Sequence, residues 1–89
     1  MPVTLDDRLV LHPDVALRPE RFGALAYHFG NRRLSFLKHP DLVAVVEALD
    51  GERTVAETFD LVGVADSRRA AFLTALSTLS ASEMVRDAA

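Results

Sequence analysis

The spacing of apolar positions changes once along this chain, and the change divides it. From Val15 to Leu37 the period is close to two, the spacing of strands. From Leu42 to Leu79 it is close to 3.6, the spacing of helices. Val15 to Pro19 reads as a strand that is short or lies at an edge, because proline cannot donate to a ladder. Gly23 to Phe29 and Arg32 to Leu37 read as a hairpin about Gly30-Asn31, a dipeptide suited to a two-residue primed turn. That turn sets Phe29 opposite Arg32, Tyr27 opposite Leu34 and Leu25 opposite Phe36. One face then carries Leu25, Tyr27, Leu34 and Phe36; the other carries Ala24, Ala26, His28, Arg33 and Ser35. The first is the more apolar and is expected to hold the hairpin to the helices, with Tyr27 and Phe36 structural.

In the helical half, Pro40 and Asp41 suit a first turn, and Leu42, Val45, Val46 and Leu49 form a stripe that Gly51 ends. Thr54 and Glu57 have the spacing of a capping box. Val55, Phe59 and Val62 give a second, short helix its apolar side, and Gly63 suits its end. Asp66 is placed to cap a third helix with the stripe Phe72, Ala75, Leu76 and Leu79 and with Leu73 on one flank; Ser80 to Glu83 ends it. Residues 1–13 show no period and read as an irregular N-terminal arm, and residues 14–86 read as a single domain. Strands followed by helices predict an α+β, winged-helix-like fold: a three-stranded antiparallel sheet, then three helices.

Composition narrows the chemistry. The chain of 89 residues has no cysteine, which removes disulfides, thiolate metal sites and cysteine nucleophiles. Asp6, Asp7 and Arg8 stand where an export signal needs an apolar core, so a cytoplasmic setting is expected. No apolar run is long enough to span a membrane. His12, His28 and His39 have no partner at helical metal-ligand spacing, so no metal is expected. His28 shares the mixed sheet face with Arg33, a position open to a ligand. No serine sits in a nucleophile elbow, and Gly23, Gly30, Gly51 and Gly63 are too far apart to cradle a phosphate. The chain is expected not to be an enzyme and to need no cofactor.

Arg32, Arg33 and Lys38, with Arg18 and Arg21, make the hairpin locally basic although the net charge is −3. Such charges protect a sheet edge from aggregation. They also suit selection of an acidic partner strand by sheet augmentation. Proline at Ser35 is expected to remove a donor from that edge. Arg68 and Arg69 open the third helix against its dipole, which suggests a contact role. The rival reading is a winged-helix DNA-binding regulator. That third helix has no Lys, Asn or Gln to read bases, and its basic residues lie at one end.

The run from Val15 to Lys38 (VALRPERFGALAYHFGNRRLSFLK), followed by His39-Pro40, resembles the peptide chaperones of mycofactocin biosynthesis. The family's usual serine before the proline is His39 here, which weakens the expected helix cap. The resemblance implies a recognition element for ribosomally made, post-translationally modified peptides, similar to the chaperone of pyrroloquinoline quinone synthesis. It implies that a precursor peptide adds as a strand between the third strand and the third helix. The peptide is then presented to a radical S-adenosylmethionine maturase, which holds the iron–sulfur clusters. Carried onto this sequence, Arg32, Arg33, Leu34, Ser35, Phe36 and Leu37 form or support the docking strand. Arg68, Phe72, Leu73 and Leu76 line or back the cleft, with Phe72 and Leu76 more at home in the core. No nucleic-acid or membrane partner is expected, and an exposed edge also permits a homodimer.

Overall fold

The computed structural model describes residues 2–88; Met1, part of the expected arm, and Ala89 lie outside them. The elements in chain order are β1 (Leu9–Leu11), β2 (Val15–Glu20), β3 (Gly23–His28), β4 (Leu34–Leu37), α1 (Pro40–Ala48), α2 (Val55–Val62), α3 (Asp66–Ala81) and β5 (Val85–Asp87). Strands β2, β3 and β4 form an antiparallel sheet in that order, and the three helices follow it. The fold is therefore α+β, as the change of period predicts.

The hairpin register is the one read from sequence: Tyr27 pairs with Leu34 and Leu25 with Phe36. The turn is not. The His28 N–H donates to the Arg33 carbonyl at 3.0 Å, and the Arg32 N–H donates to the His28 carbonyl at 2.8 Å. This closes a four-residue loop, Phe29 to Arg32, and its left-handed residue is Arg32, with φ 61°. Widening the loop by one residue on each side of the Gly30-Asn31 bond leaves the pairing unchanged, so the register survives the wrong turn type. Gly23 begins β3 at φ +147°, and a Cβ there would stand 2.0 Å from the Leu37 carbonyl oxygen. That oxygen belongs to rigid backbone, so only glycine fits.

The expected inner face is the outer one. Ala24, Ala26 and Leu37 are each 1% exposed, whereas Leu34 and Phe36 are 56% and 60% exposed. Strand β2 explains the inversion. Val15 pairs with His28 and Leu17 with Ala26, so both point inward with the alanines and pack on the core. Counted over three strands, the inward side chains include Val15, Leu17, Ala24, Ala26, His28, Ser35 and Leu37, a mostly apolar surface. Its two alanines let the helix layer approach closely. The bulky set Leu25, Tyr27, Leu34 and Phe36 stays outside, extended by edge contacts of Phe36 with Phe22 at 5.8 Å and of Tyr27 with Phe29 at 5.0 Å.

The helices follow their stripes. Leu42, Val45, Val46 and Leu49 are buried from α1 and its C-cap; Val55 and Phe59 from α2; Phe72, Leu76 and Leu79 from α3. His39, at the N-cap of α1, makes no side-chain cap bond, as its identity predicts. Ala65 rather than Asp66 is the N-cap of α3 and offers no side-chain acceptor. Gly63 ends α2 at φ 86°.

The capping box of α2 is complete. The Thr54 hydroxyl accepts the Glu57 N–H at 3.1 Å, and the Glu57 carboxylate accepts the Thr54 N–H at 2.8 Å. Hydrogen bonds from the Thr54 main chain and hydroxyl hold the Glu57 carboxyl below its ordinary value of 4.5. The N–H groups of Arg53 and Glu52 hold Asp50 below its ordinary 3.8 in the same way. Both folded pKa values are depressed, so both groups stabilise the fold above the ordinary values and lose that contribution as pH falls through the lower folded ones. Thr54→Ala should cost about 1 kcal/mol at neutral pH. Glu57→Gln should flatten the fall of the melting midpoint below pH 4.5, read by circular dichroism against the parent chain. Equal acid sensitivity in parent and variant would show that the box carries no pH-dependent stability.

The N-terminal arm is more ordered than its sequence suggests. Leu9 to Leu11 pairs antiparallel with Val85 to Asp87, giving a second, two-stranded sheet. Val3 and Leu9 join the core. The Asp7 and Leu5 carbonyls accept the Val55 and Ala56 N–H groups at 2.8 and 3.0 Å. These are donors that the first turn of α2 leaves unpaired. Three-residue strands paired across nearly the whole chain leave almost no periodic signal, which is why neither was legible.

An open strand edge beside an apolar groove

Strand β4 has one neighbour, β3, so its other edge is free among the described residues. The bond from His28 N–H to the Arg33 carbonyl fixes which main-chain groups face that edge. Hydrogen-bonded and non-bonded pairs alternate in an antiparallel ladder. Ala26 with Ser35 and Ala24 with Leu37 are therefore the bonded pairs, and the N–H and C=O groups of Leu34 and Phe36 point outward. This corrects the expectation at Ser35: its N–H belongs to the hairpin and not to the edge.

Beside the edge runs a groove between β4 and α3, made of two adjoining cavities. The larger, about 460 Å³, lies between Lys38, His39, Ser67, Arg68, Ala71 and Phe72. The smaller, about 340 Å³, lies between Leu34, Ser35, Leu37, Thr78 and Leu79. Phe36, Leu42 and Ala75 line both. The groove exists because α3 turns a row of small side chains toward β4: Ser67, Ala71, Ala75 and Thr78, at spacings of four, four and three. Leu42 and Phe72 are buried beneath it.

The two arginines of α3 are explained by local partners. Arg68 pairs with Asp41 at 2.6 Å and lies 4.9 Å from the centre of the Phe72 ring, joining α3 to α1 at the groove mouth. Arg69 pairs with Asp60 at 2.7 Å, donates to the Val64 carbonyl at 3.1 Å, and lies over Phe59. It ties α3 to α2. These bonds offset the unfavourable dipole position that the sequence shows.

Of the residues expected at the site, Leu34, Ser35, Phe36, Leu37, Arg68 and Phe72 line the groove. Arg32 ends the hairpin loop and Arg33 directly precedes β4, so neither lines the groove. Leu76 is fully buried in the core. Leu73 packs against the core about 200° around the helix from Ala71, so neither leucine borders the groove. Sequence reasoning did not place Lys38, His39, Leu42, Ser67, Ala71, Ala75, Thr78 or Leu79 at the groove. The spacing of the small residues on α3 was the available signal, because a flank of Ala, Ser and Thr beside an apolar stripe marks a face something else approaches.

It also missed a meeting of histidines. Pairing of Val15 with His28 brings His12 and Asp14 beside His28, with one ligand-type atom of each within 4.8 Å of the others. The two rings are 4.3 Å apart. His28 Nδ1 accepts the N–H groups of Gly30 and Asn31 at 3.0 and 3.2 Å, and His12 Nδ1 accepts that of Asp14 at 3.0 Å. Both Nδ1 lone pairs are thus committed to holding turns. His28 Nε2 is buried without a protein partner.

Fold and groove together define a small α+β domain with a free strand edge beside a largely apolar groove. The chain belongs to the peptide chaperone MftB family, whose model matches residues 8–86. It is 51% identical over 75 residues to the peptide chaperone MftB of Mycobacterium ulcerans (strain Agy99), a match covering 84% of this chain and 69% of that protein. To the Mycobacterium tuberculosis (strain ATCC 25618 / H37Rv) chaperone of that name it is 48% identical, with the same coverage. To that of Mycolicibacterium smegmatis (strain ATCC 700084 / mc(2)155) it is 48% identical, covering 84% of this chain and 74% of that one. No solved structure matches the chain. Membership supports a peptide-binding chaperone role. No helix among the described residues is long and apolar enough to cross a membrane.

Proposed function

We propose that this chain binds the ribosomally made mycofactocin precursor peptide as a strand added to β4, and presents it to a radical S-adenosylmethionine maturase in the cytoplasm. The carrying observation is the free edge of β4, with the outward groups of Leu34 and Phe36 beside an apolar groove. The resemblance carried by Val15 to Lys38 supports this reading of the peptide and of the maturase. The chain acts as a carrier, and the chemistry belongs to the enzyme it serves. Arg68 and Arg69 support a peptide over a nucleic acid, because each is held by a carboxylate of its own chain. The same free edge permits pairing between two copies when no peptide is present.

Titration calorimetry with the precursor peptide tests this reading. The expected result is saturable binding with one peptide per chain. No heat, and no competition against a labelled peptide at tens of micromolar protein, would remove it.

A further inference from the structure

The groove is divided and its ends are charged, and both features describe what fits it. Its two cavities, about 460 and 340 Å³, sit side by side along β4 and share Phe36, Leu42 and Ala75. Side chains two residues apart on one face of a strand are roughly 6.6 Å apart. A strand laid on β4 therefore presents one side chain to each cavity, and the next on the same face passes beyond the groove. Leu42, Phe72, Ala75 and Leu79 make these cavities apolar, and no carboxylate lines either.

The ends differ from the middle. Exposed Arg32 and Arg33 stand just before β4, and exposed Lys38 just after it. Among the described residues these three cations form no ion pair, whereas Arg68 is already neutralised by Asp41. A chain of net charge −3 thus keeps free positive charge at both ends of its open edge.

We infer that the groove selects an acidic strand in which two apolar side chains, at positions i and i+2, are flanked on both sides by carboxylates, with the larger apolar group at the Arg68 end. This rests on the strand-addition reading and adds the pattern that the strand must carry. Main-chain bonds hold any extended segment alike, so the two cavities and the flanking cations provide the discrimination. A second copy of this chain is a weaker occupant of the edge than an acidic peptide, because antiparallel pairing of two β4 strands brings Arg32 and Arg33 of one copy toward Lys38 of the other.

Fluorescence anisotropy with three synthetic peptides tests the inference. The first carries Leu at i and i+2 with Glu on each flank; the second replaces Glu by Lys; the third replaces Leu by Ser. The first should bind, and its affinity should fall as salt rises from about 50 mM to about 500 mM. The Lys-flanked peptide should bind roughly tenfold more weakly at the lower salt, the effect of two exposed charge pairs. The Ser peptide should lose detectable binding. The double variant Arg33→Glu, Lys38→Glu, whose changes lie on exposed side chains, should reverse the preference between Glu and Lys flanks. Equal affinity for the two flanks, or an unchanged preference in the double variant, overturns the inference. The precursor peptide in the same assay separates the two readings. If it binds without charge preference or salt dependence, strand addition stands and the pattern falls. Silence from the precursor and the synthetic peptides alike overturns both.

Discussion

Phe36→Pro should abolish binding of the precursor peptide and leave the protein folded. The N–H of Phe36 faces the open edge and has no partner in the sheet, so proline there removes nothing that β4 needs from β3. An incoming strand needs that donor, and the pyrrolidine ring stands where its carbonyl must come. Leaving a main-chain acceptor unpaired costs about 1–3 kcal/mol, or roughly tenfold to a hundredfold in affinity, before the steric term is added. Phe36→Ala separates backbone from side chain: it keeps the donor and should retain most of the main-chain affinity. Ser35→Pro should behave in the opposite way. It removes a bond between β4 and β3, so it should loosen the hairpin itself, visible as a lower melting midpoint without peptide. Calorimetry and thermal melts on the three variants settle the matter. If Phe36→Pro binds as the parent does, the peptide does not add to β4.

Phe59→Ala should be the most destabilising single truncation. Phe59 is fully buried, meets Phe72 edge to face at 6.1 Å, and lies under the Arg69 guanidinium at 5.6 Å. Removing such a ring costs about 3–5 kcal/mol, because the space left cannot close. A domain this small has only about 5–15 kcal/mol in total. At about 4–8 °C per kcal/mol, the midpoint should fall by at least about 12 °C. A fall below about 5 °C would mean that the aromatic pair does not hold α2 to α3. Binding measured well below the midpoint should persist, since Phe59 does not line the groove.

What was legible in the sequence followed from local rules. The capping box at Thr54 and Glu57, the glycine stop at Gly63 and the stripe from Leu42 to Leu49 each depend on residues within one or two turns, and each stands as read. The hairpin register was legible because pairing depends only on the centre of the loop. Which face lies inside was not, because alternation separates two faces without ranking them. Ranking needed Val15 and Leu17 from β2, and Leu37, to be counted with Ala24 and Ala26. The strand half of the candidate site came through family likeness and the hairpin; on α3, Leu76 lies in the core as expected, while Leu73 sits on a flank that does not border the groove. The groove is lined by the small side chains of that helix, and no rule built on hydrophobic residues points to small ones. The pairing of β1 with β5 and the meeting of His12 with His28 depend on tertiary closure alone.

The outward set of Leu25, Tyr27, Leu34 and Phe36 has a consequence for how occupancy can be sensed. In a strand-added complex the guest directs every second side chain onto the same bare face, level with Leu34 and Phe36. An empty carrier shows three strands there and a loaded one shows four, the last written in the guest's own residues. A protein that docks on this face can tell full from empty by touch, with no hinge or shape change in the carrier.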